Sequence, residues 1–155
     1  MIAPLSVADF AARCGANLHH DPDSLSVISG LAIDSRQVKP GDLFVAIPGA
    51  KADGHDYVTA AFDRGAAAAL VRQAVNSSIP QVIVPDAEAA LLTFGAMTRA
   101  DYDGILVGIT GSAGKTTAKN MLAAILSRAG KVVATTGNQN NELGVPLTLA
   151  ELGGD

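Results

Sequence analysis

The sequence predicts an α/β protein in two parts, a mixed α/β domain over residues 1–84 and a second α/β unit over residues 85–155. Short apolar runs that suit strands alternate with stretches of helical periodicity. One glycine-rich loop ending in Lys-Thr stands between an apolar run and a helical pattern. Hydrophobic residues make up 48% of the 155 residues, which is enough to form a core.

Composition argues against several classes of partner. A formal net charge of -4 does not suit a protein that coats nucleic acid, because such proteins neutralise phosphates with basic surface. The single cysteine, Cys14, forms no internal disulfide and fits a reducing compartment. No apolar run approaches the roughly 20 residues of a membrane span, and no secretory signal is visible. We therefore expect a cytoplasmic protein with neither a nucleic-acid nor a membrane partner.

The first part begins with a helix, for which Ser6 is the expected N-cap, Asp9 completes a capping box and Gly15 is the end. A second helix is expected over residues 55–64, with Tyr57, Ala61 and Phe62 facing inward. Four strands are expected, at residues 27–33 with a break at Ser29-Gly30, and at 43–47, 67–71 and 81–84.

The second part is expected to begin with a helix capped by Asp86 that ends near Arg99. Strands are expected at 105–110 and 132–134, separated by a helix over 115–129. A further helix opens near Pro146, since proline suits the first helical turn.

Residues 108–117, Gly-Ile-Thr-Gly-Ser-Ala-Gly-Lys-Thr-Thr, have the order of a phosphate-binding loop. Glycines let successive N–H groups point into one hollow, and the following helix adds its free N–H groups and dipole. Lys115 would neutralise the outer phosphates, and the Thr116 hydroxyl would hold Mg²⁺. The common pattern has four residues between its glycines. Here Gly108 and Gly114 are separated by five. A chance glycine turn is the alternative.

Two other stretches are candidate binding segments. Asp34-Ser35-Arg36 either opens a turn or presents a hydroxyl and a guanidinium to a sugar or diphosphate. Residues 135–144 are rich in asparagine and threonine and follow an expected strand, where parallel sheets bind ligands. The glycine loop at 49–54 is a plain turn unless a ligand lies there.

Three segments, taken in order, resemble the Mur ligases. The loop at 108–117 resembles their ATP loop, which accounts for the glycine spacing. Residues 136–148, beginning Thr-Gly-Asn-Gln-Asn-Asn-Glu, resemble an asparagine-rich segment of one family member. Asp34-Ser35-Arg36, residues 40–46 and Asp53-Gly54-His55 are similar to the UDP-binding N-terminal domain of the family. The resemblance covers nearly the whole chain. It implies that Asp34-Ser35-Arg36 is a ligand-facing loop, and that residues 85–155 are the truncated start of a P-loop-type α/β/α ATP-binding domain.

The resemblance implies an ATP-dependent amide ligase of peptidoglycan precursor synthesis. It implies ATP and Mg²⁺ as cofactors, and a reaction that joins D-alanyl-D-alanine to UDP-N-acetylmuramoyl-tripeptide through an acyl phosphate. By position, the resemblance implies that the ATP phosphates are bound by Gly111, Ser112, Ala113, Gly114, Lys115, Thr116 and Thr117. It implies that Lys115 and Thr116 are catalytic and that Thr116 binds the metal. It implies that the uridine end of the substrate is bound by Ser35, Arg36, Ala50, Lys51 and Ala52. The muramoyl-peptide would lie near Thr135, Thr136, Asn138 and Asn141.

The resemblance also implies that the family's acidic Mg²⁺ ligand, modified lysine, adenine-binding residues and D-alanyl-D-alanine site lie beyond residue 155. The isolated chain is then expected to have no ligase turnover and to carry unpaired strand edges. Three alternatives remain. They are the neighbouring ligase that adds a diamino acid to the dipeptide substrate, a non-catalytic UDP-sugar-binding module, and a P-loop kinase or GTPase. The last predicts the four-residue glycine spacing, which is absent.

Overall fold

The computed structural model describes residues 4–20, 26–49, 52–135 and 144–150. The strands are β1 (Leu5–Ser6), β2 (Asn17–His19), β3 (Val27–Ile28), β4 (Gly30–Ala32), β5 (Asp42–Val45), β6 (Ala68–Val71) and β7 (Gln81–Ile83). The α-helices are α1 (Val7–Arg13), α2 (Val58–Asp63), α3 (Ala87–Ala100), α4 (Lys115–Leu126) and α5 (Gly144–Ala150). Short 3₁₀ turns cover Ser35–Gln37 and Gly54–Tyr57. Among the helices of these residues, none is long and apolar enough to cross a membrane.

A five-stranded sheet with the order β2-β7-β6-β5-β4 organises the N-terminal part. β4, β5, β6 and β7 are parallel neighbours, and β2 runs antiparallel to β7 at one edge. β1 and β3 form a separate antiparallel pair. The predicted mixed α/β fold is confirmed, and so is the break in the strand at Ser29, because β3 and β4 join different sheets.

The central strands are buried on both faces. In β5, Leu43 and Val45 enter one hydrophobic cluster, with α1 and α3, while Phe44 enters a second cluster with α2. β6 alternates in the same way, because successive side chains of a strand point to opposite faces. Double-sided burial explains why these strands read as continuous apolar runs rather than alternating ones.

Helices α1 and α3 begin where the sequence predicts. The Ser6 hydroxyl accepts the N–H of Asp9 at 3.0 Å, and the Asp86 carboxylate accepts the N–H groups of Glu88 and Ala89. α3 then packs on the N-terminal core, where the rings of Phe94 and Phe10 lie 4.8 Å apart between centroids.

The helix expected over 55–64 differs in its first turn. Gly54–Tyr57 is 3₁₀, and the α-helix begins at Val58. Val58 and Ala61 are buried, whereas Tyr57 is 44% exposed and Phe62 39% exposed. The prediction that Tyr57 and Phe62 face inward is therefore wrong, because the helix begins later and its buried stripe starts at Val58.

The strands expected at 105–110 and 132–134 do not form. Ile105 is 91% exposed, and a strand requires a hydrogen-bonded neighbour that the described part of the chain does not supply. The two predicted helices do form. α4 buries none of its residues, whereas α5 packs against α3 and places Leu147 in the first cluster.

Gln81 is a wholly buried polar side chain at the start of β7. Its carbonyl oxygen accepts the N–H of Val75 at 2.8 Å, and its amide nitrogen donates to the carbonyls of Val75 at 2.9 Å and Ser77 at 3.3 Å. The side chain therefore supplies the backbone partners that the link between β6 and β7 would otherwise lack.

We predict that Gln81→Leu lowers the free energy of unfolding by about 2 kcal/mol, because it leaves half-buried backbone groups of Val75 without partners. Urea unfolding followed by circular dichroism measures the change. Gln73→Leu is the matched control, since Gln73 is exposed and its loss should change stability by less than about 0.5 kcal/mol. Equal effects of the two substitutions would contradict the assignment.

Candidate functional site: a glycine loop and an adjoining cleft

The glycine loop turns into α4 through left-handed backbone at Gly114, where φ is 78°. Gly111 also has a positive φ, of 149°. A Cβ added at Gly114 would meet no atom within 4 Å. Backbone conformation, and not crowding, therefore favours glycine at Gly114.

The loop leaves a set of free donors at the start of α4. The first helical hydrogen bond runs from the N–H of Ala118 to the carbonyl of Gly114, at 2.9 Å. The N–H groups of Lys115, Thr116 and Thr117 thus have no acceptor within the helix, and no side chain caps it. Free N–H groups and the positive end of the helix dipole make this an anion site.

Lys115 reaches back over the loop. Its ammonium donates to the carbonyl of Gly111 at 2.5 Å, so the charge lies at the bend and does not point away from it. Thr116 is exposed, and its hydroxyl has no hydrogen bond to a described residue. The arrangement fits the phosphates of a nucleotide, with Lys115 free to exchange a carbonyl for a phosphate oxygen.

Thr116 alone does not make a complete metal site. Among the described residues, no group of three histidine, cysteine, aspartate or glutamate side chains could hold a metal ion. Mg²⁺ takes most of its ligands from phosphate oxygens and water in such sites, so one hydroxyl is a sufficient anchor from this loop. The residues therefore fit Mg²⁺ held together with a nucleotide.

Asp34 and Arg36 form a closed pair at the end of β4. Arg36 donates from Nε at 2.9 Å and from Nη2 at 2.7 Å to the Asp34 carboxylate, which also accepts the backbone N–H of Arg36 at 3.0 Å. These hydrogen bonds lower the pKa of Asp34 from 3.8 to about 2, and Asp34 raises the pKa of Arg36. Arg36 remains 83% exposed in its side chain, so its other N–H groups are available to a ligand.

A cavity of about 650 Å³ runs beside β4, the edge strand of the sheet. Asp34 lies at one wall, and Ala134 and Thr148 from the second part of the chain lie at another. Its lining is completed by Ser29, Gly30, Leu31, Ala32, Ile33, Gln37, Lys39, Pro40, Asp42 and Leu147. The size suits a small-molecule ligand.

None of the predicted substrate residues that the structure describes lines this cavity, although three of them are next in sequence to its lining. Ser35 and Arg36 follow Asp34 in the 3₁₀ turn, and Thr135 is next to Ala134, with its hydroxyl oxygen 3.3 Å from that of Thr148. Ala52 accepts the N–H of Gly49 through its carbonyl at 2.9 Å. Ala50, Lys51, Thr136, Asn138 and Asn141 lie outside the described residues.

Sequence reasoning assigned no structural role to His55, but in the structure it links the turn at Asp53 to the residue that follows β6. Its Nδ1 lies 2.6 Å from Asp53 Oδ1, and its Nε2 accepts the backbone N–H of Arg72 at 2.9 Å. The Nε2 contact requires an unprotonated nitrogen, so Nδ1 carries the proton. Hydrogen bonds from His55 lower the pKa of Asp53. The available signal was the Asp-Gly-His triplet, which places an Asx turn before a histidine.

A glycine loop at a helix start, following a mostly parallel sheet with a cleft beside its edge strand, is typical of a nucleotide-binding α/β protein. Residues 27–124 match the Mur ligase family, catalytic domain, and residues 109–154 match the Mur ligase middle domain. The chain belongs to the Mur ligase family.

Two curated relatives carry the name UDP-N-acetylmuramoyl-tripeptide--D-alanyl-D-alanine ligase. The protein of Escherichia coli K12 is 42% identical over 125 residues, covering 81% of this chain and 28% of the relative. The protein of Synechocystis is 39% identical over 131 residues, covering 83% of this chain and 29% of the relative. The chain thus spans less than a third of the length of these relatives.

Solved structures agree with these relatives. MurF from Acinetobacter baumannii is similar with a TM-score of 0.85 and 36% identity, over 97% of this chain and 34% of that one. MurF ligase from Thermotoga maritima, solved in complex with ADP, is similar with a TM-score of 0.66 and 36% identity. The match covers 79% of this chain and 29% of the Thermotoga maritima chain.

We predict that Arg36→Gln raises the pKa of Asp34 from about 2 towards 3.8, since it removes the side-chain hydrogen bonds that favour the carboxylate. Carboxyl ¹³C NMR titration measures the midpoint. Because the folded-state pKa is lowered, the pair stabilises the fold above pH 3.8, and that contribution is lost as the pH falls towards 2.

Arg13→Gln is the control for this titration, since Arg13 pairs with Asp101, 3.2 Å away, and not with Asp34. It should leave the Asp34 midpoint unchanged. A midpoint near 3.8 in the unsubstituted chain would show that the pair does not exist in solution.

Proposed function

We propose that this chain forms the UDP-substrate-binding and ATP-phosphate-binding part of an ATP-dependent ligase that joins D-alanyl-D-alanine to UDP-N-acetylmuramoyl-tripeptide, through an acyl phosphate, in peptidoglycan precursor synthesis. The observation that carries the proposal is the loop at Gly111 to Thr117, where free N–H groups and the Lys115 ammonium meet at the start of α4. The names of the relatives support the substrate assignment.

The loop residues have separate roles in this proposal. Backbone N–H groups from Ser112 to Thr117 hold the phosphates, and Lys115 neutralises the oxygens of the transferred group. The Thr116 hydroxyl anchors Mg²⁺. When bound, ATP supplies the phosphoryl group that activates the terminal carboxylate of the tripeptide, and Mg²⁺ balances its charge. The ADP complex of the Thermotoga maritima relative supports a nucleotide at this loop.

The cleft beside β4 is the proposed place of the UDP-linked substrate. Ser35 and Arg36 lie at its Asp34 end, and Thr135 is next to Ala134 in its wall. Arg36 keeps free donors for a diphosphate or sugar oxygen, because Asp34 occupies only one side of its guanidinium. Ala50, Lys51 and Ala52 are proposed for the uridine end, and Thr136, Asn138 and Asn141 for the muramoyl-peptide. D-Alanyl-D-alanine is proposed to bind outside residues 1–155.

A ligase that adds a diamino acid to the dipeptide substrate is the nearest alternative, and a non-catalytic UDP-sugar-binding module is the next. ATP consumption by a longer protein that contains this segment, measured with D-alanyl-D-alanine, lysine and diaminopimelate, separates the two ligase types. A cytoplasmic location stays a prediction. So does the division at residues 84 and 85, and the packing of α3 on the first cluster favours placing that helix with the N-terminal part.

We predict that Lys115→Ala weakens ATP·Mg²⁺ binding at least tenfold, because the charge over the loop is removed, and changes UDP-N-acetylmuramoyl-tripeptide binding less than twofold. Isothermal titration calorimetry on the 155-residue chain measures both. Arg128→Ala is the control, since the Arg128 side chain is exposed and has no hydrogen bond to a described residue. ATP binding that survives Lys115→Ala would exclude the loop as the phosphate site.

We further predict that the 155-residue chain releases no ADP above background when ATP, Mg²⁺, UDP-N-acetylmuramoyl-tripeptide and D-alanyl-D-alanine are all present. The reason is that the chain spans less than a third of its relatives. A coupled ADP assay with each substrate omitted in turn provides the measurement and its control. ADP release that depends on both the tripeptide and the dipeptide would refute the prediction.

A further inference from the structure

Lys119 lies one turn after Lys115 on α4, and the glycine loop does not use it. Its side chain is half-buried, and its ammonium donates to the backbone carbonyl of Thr135. Residues four apart share a helix face, so the two ammonium groups of Lys115 and Lys119 lie on the same side of α4. The contact joins the helix that follows the phosphate loop to the segment that leads to the cleft.

From Thr135 the contacts continue to the cleft. Its hydroxyl oxygen lies 3.3 Å from that of Thr148, whose hydroxyl also donates to the carbonyl of Gly144 at 2.8 Å. Thr148 and Ala134 both line the cavity. A continuous polar path therefore runs from the Lys119 ammonium to the wall of the cavity that comes from the second part of the chain.

The position of Lys119 is unfavourable for an isolated helix. Two cations four residues apart on a helix repel each other. α4 has no acidic residue in its first turn to offset them. A charged donor to a half-buried carbonyl is also stronger than a neutral one.

We propose that Lys119 is a positioning residue for the UDP-linked substrate, holding Thr135 and thereby the cleft wall formed by Ala134 and Thr148. This rests on the proposed function, in which the cleft accepts that substrate. Residues 132–134 form no strand, and Thr135 contacts the Lys119 ammonium and the Thr148 hydroxyl. Lys119 acts through Thr135 and does not itself bind the nucleotide.

The test compares Lys119→Met with Lys119→Arg in the 155-residue chain. Lys119→Met should weaken UDP-N-acetylmuramoyl-tripeptide binding about tenfold, with ATP·Mg²⁺ binding changed less than twofold. Lys119→Arg keeps the cation and should restore most of the substrate affinity. Arg128→Met removes an exposed cation near the end of the same helix and should change neither affinity. The ¹³C resonance of the Thr135 carbonyl should shift in Lys119→Met and stay in Arg128→Met.

The outcomes separate this inference from the proposed function. No substrate binding by the unsubstituted chain would contradict the proposed function. Substrate binding that Lys119→Met leaves unchanged would overturn the positioning role alone. Loss of ATP and substrate affinity together, without rescue by Lys119→Arg, would mean that Lys119 supports the fold of the second part of the chain and not the cleft wall.

Discussion

The left-handed backbone at Gly114 is the constraint on which the candidate site depends. It turns the chain from the loop into α4 so that the N–H groups of Lys115, Thr116 and Thr117 face away from the helix that follows them. A side chain at Gly114 would disfavour this conformation even though the space is open. The same turn fixes the direction of α4 at its first residue, and with it the face on which Lys115 and Lys119 lie.

The parallel sheet places the other candidate residues at one rim. Asp34 follows the carboxyl end of β4, the loop at 48–54 follows β5, and Arg72 follows β6. Carboxyl ends of parallel strands meet at the same edge, where such sheets bind ligands. His55 joins two of these segments through Asp53 and the Arg72 N–H, so the rim is cross-linked by hydrogen bonds. β5 and β6, which lead into two of these segments, are buried on both faces.

Local features were predictable from the sequence and tertiary ones were not. The N-caps at Ser6 and Asp86 and the turn at Gly114 depend on neighbours within a few residues, and each is present. The expected capping box differs, because the Asp9 carboxylate accepts the Ser6 hydroxyl in place of a backbone N–H. The prediction that Tyr57 faces inward was wrong, because the residues that face the core depend on where the 3₁₀ turn ends and the α-helix begins. The prediction of strands at 105–110 and 132–134 was wrong, because an apolar run does not by itself provide the hydrogen-bonded neighbour that a strand requires. His55 and Lys119 were missed because their acceptors and donors lie 16 or more residues away.

The glycine loop and the cleft therefore depend on different contacts. The phosphate loop needs only its glycines, its helix and the Lys115 contact to Gly111, and it forms although α4 buries none of its residues. The cleft needs two distant parts of the chain, since Asp34 and Thr148 line the same cavity from segments more than a hundred residues apart. Lys119 is the described side chain that belongs to both, because it lies on the loop's own helix and holds Thr135 beside the cleft wall. In the role proposed for Lys119, this charged hydrogen bond makes the shape of the cleft depend on where α4 lies.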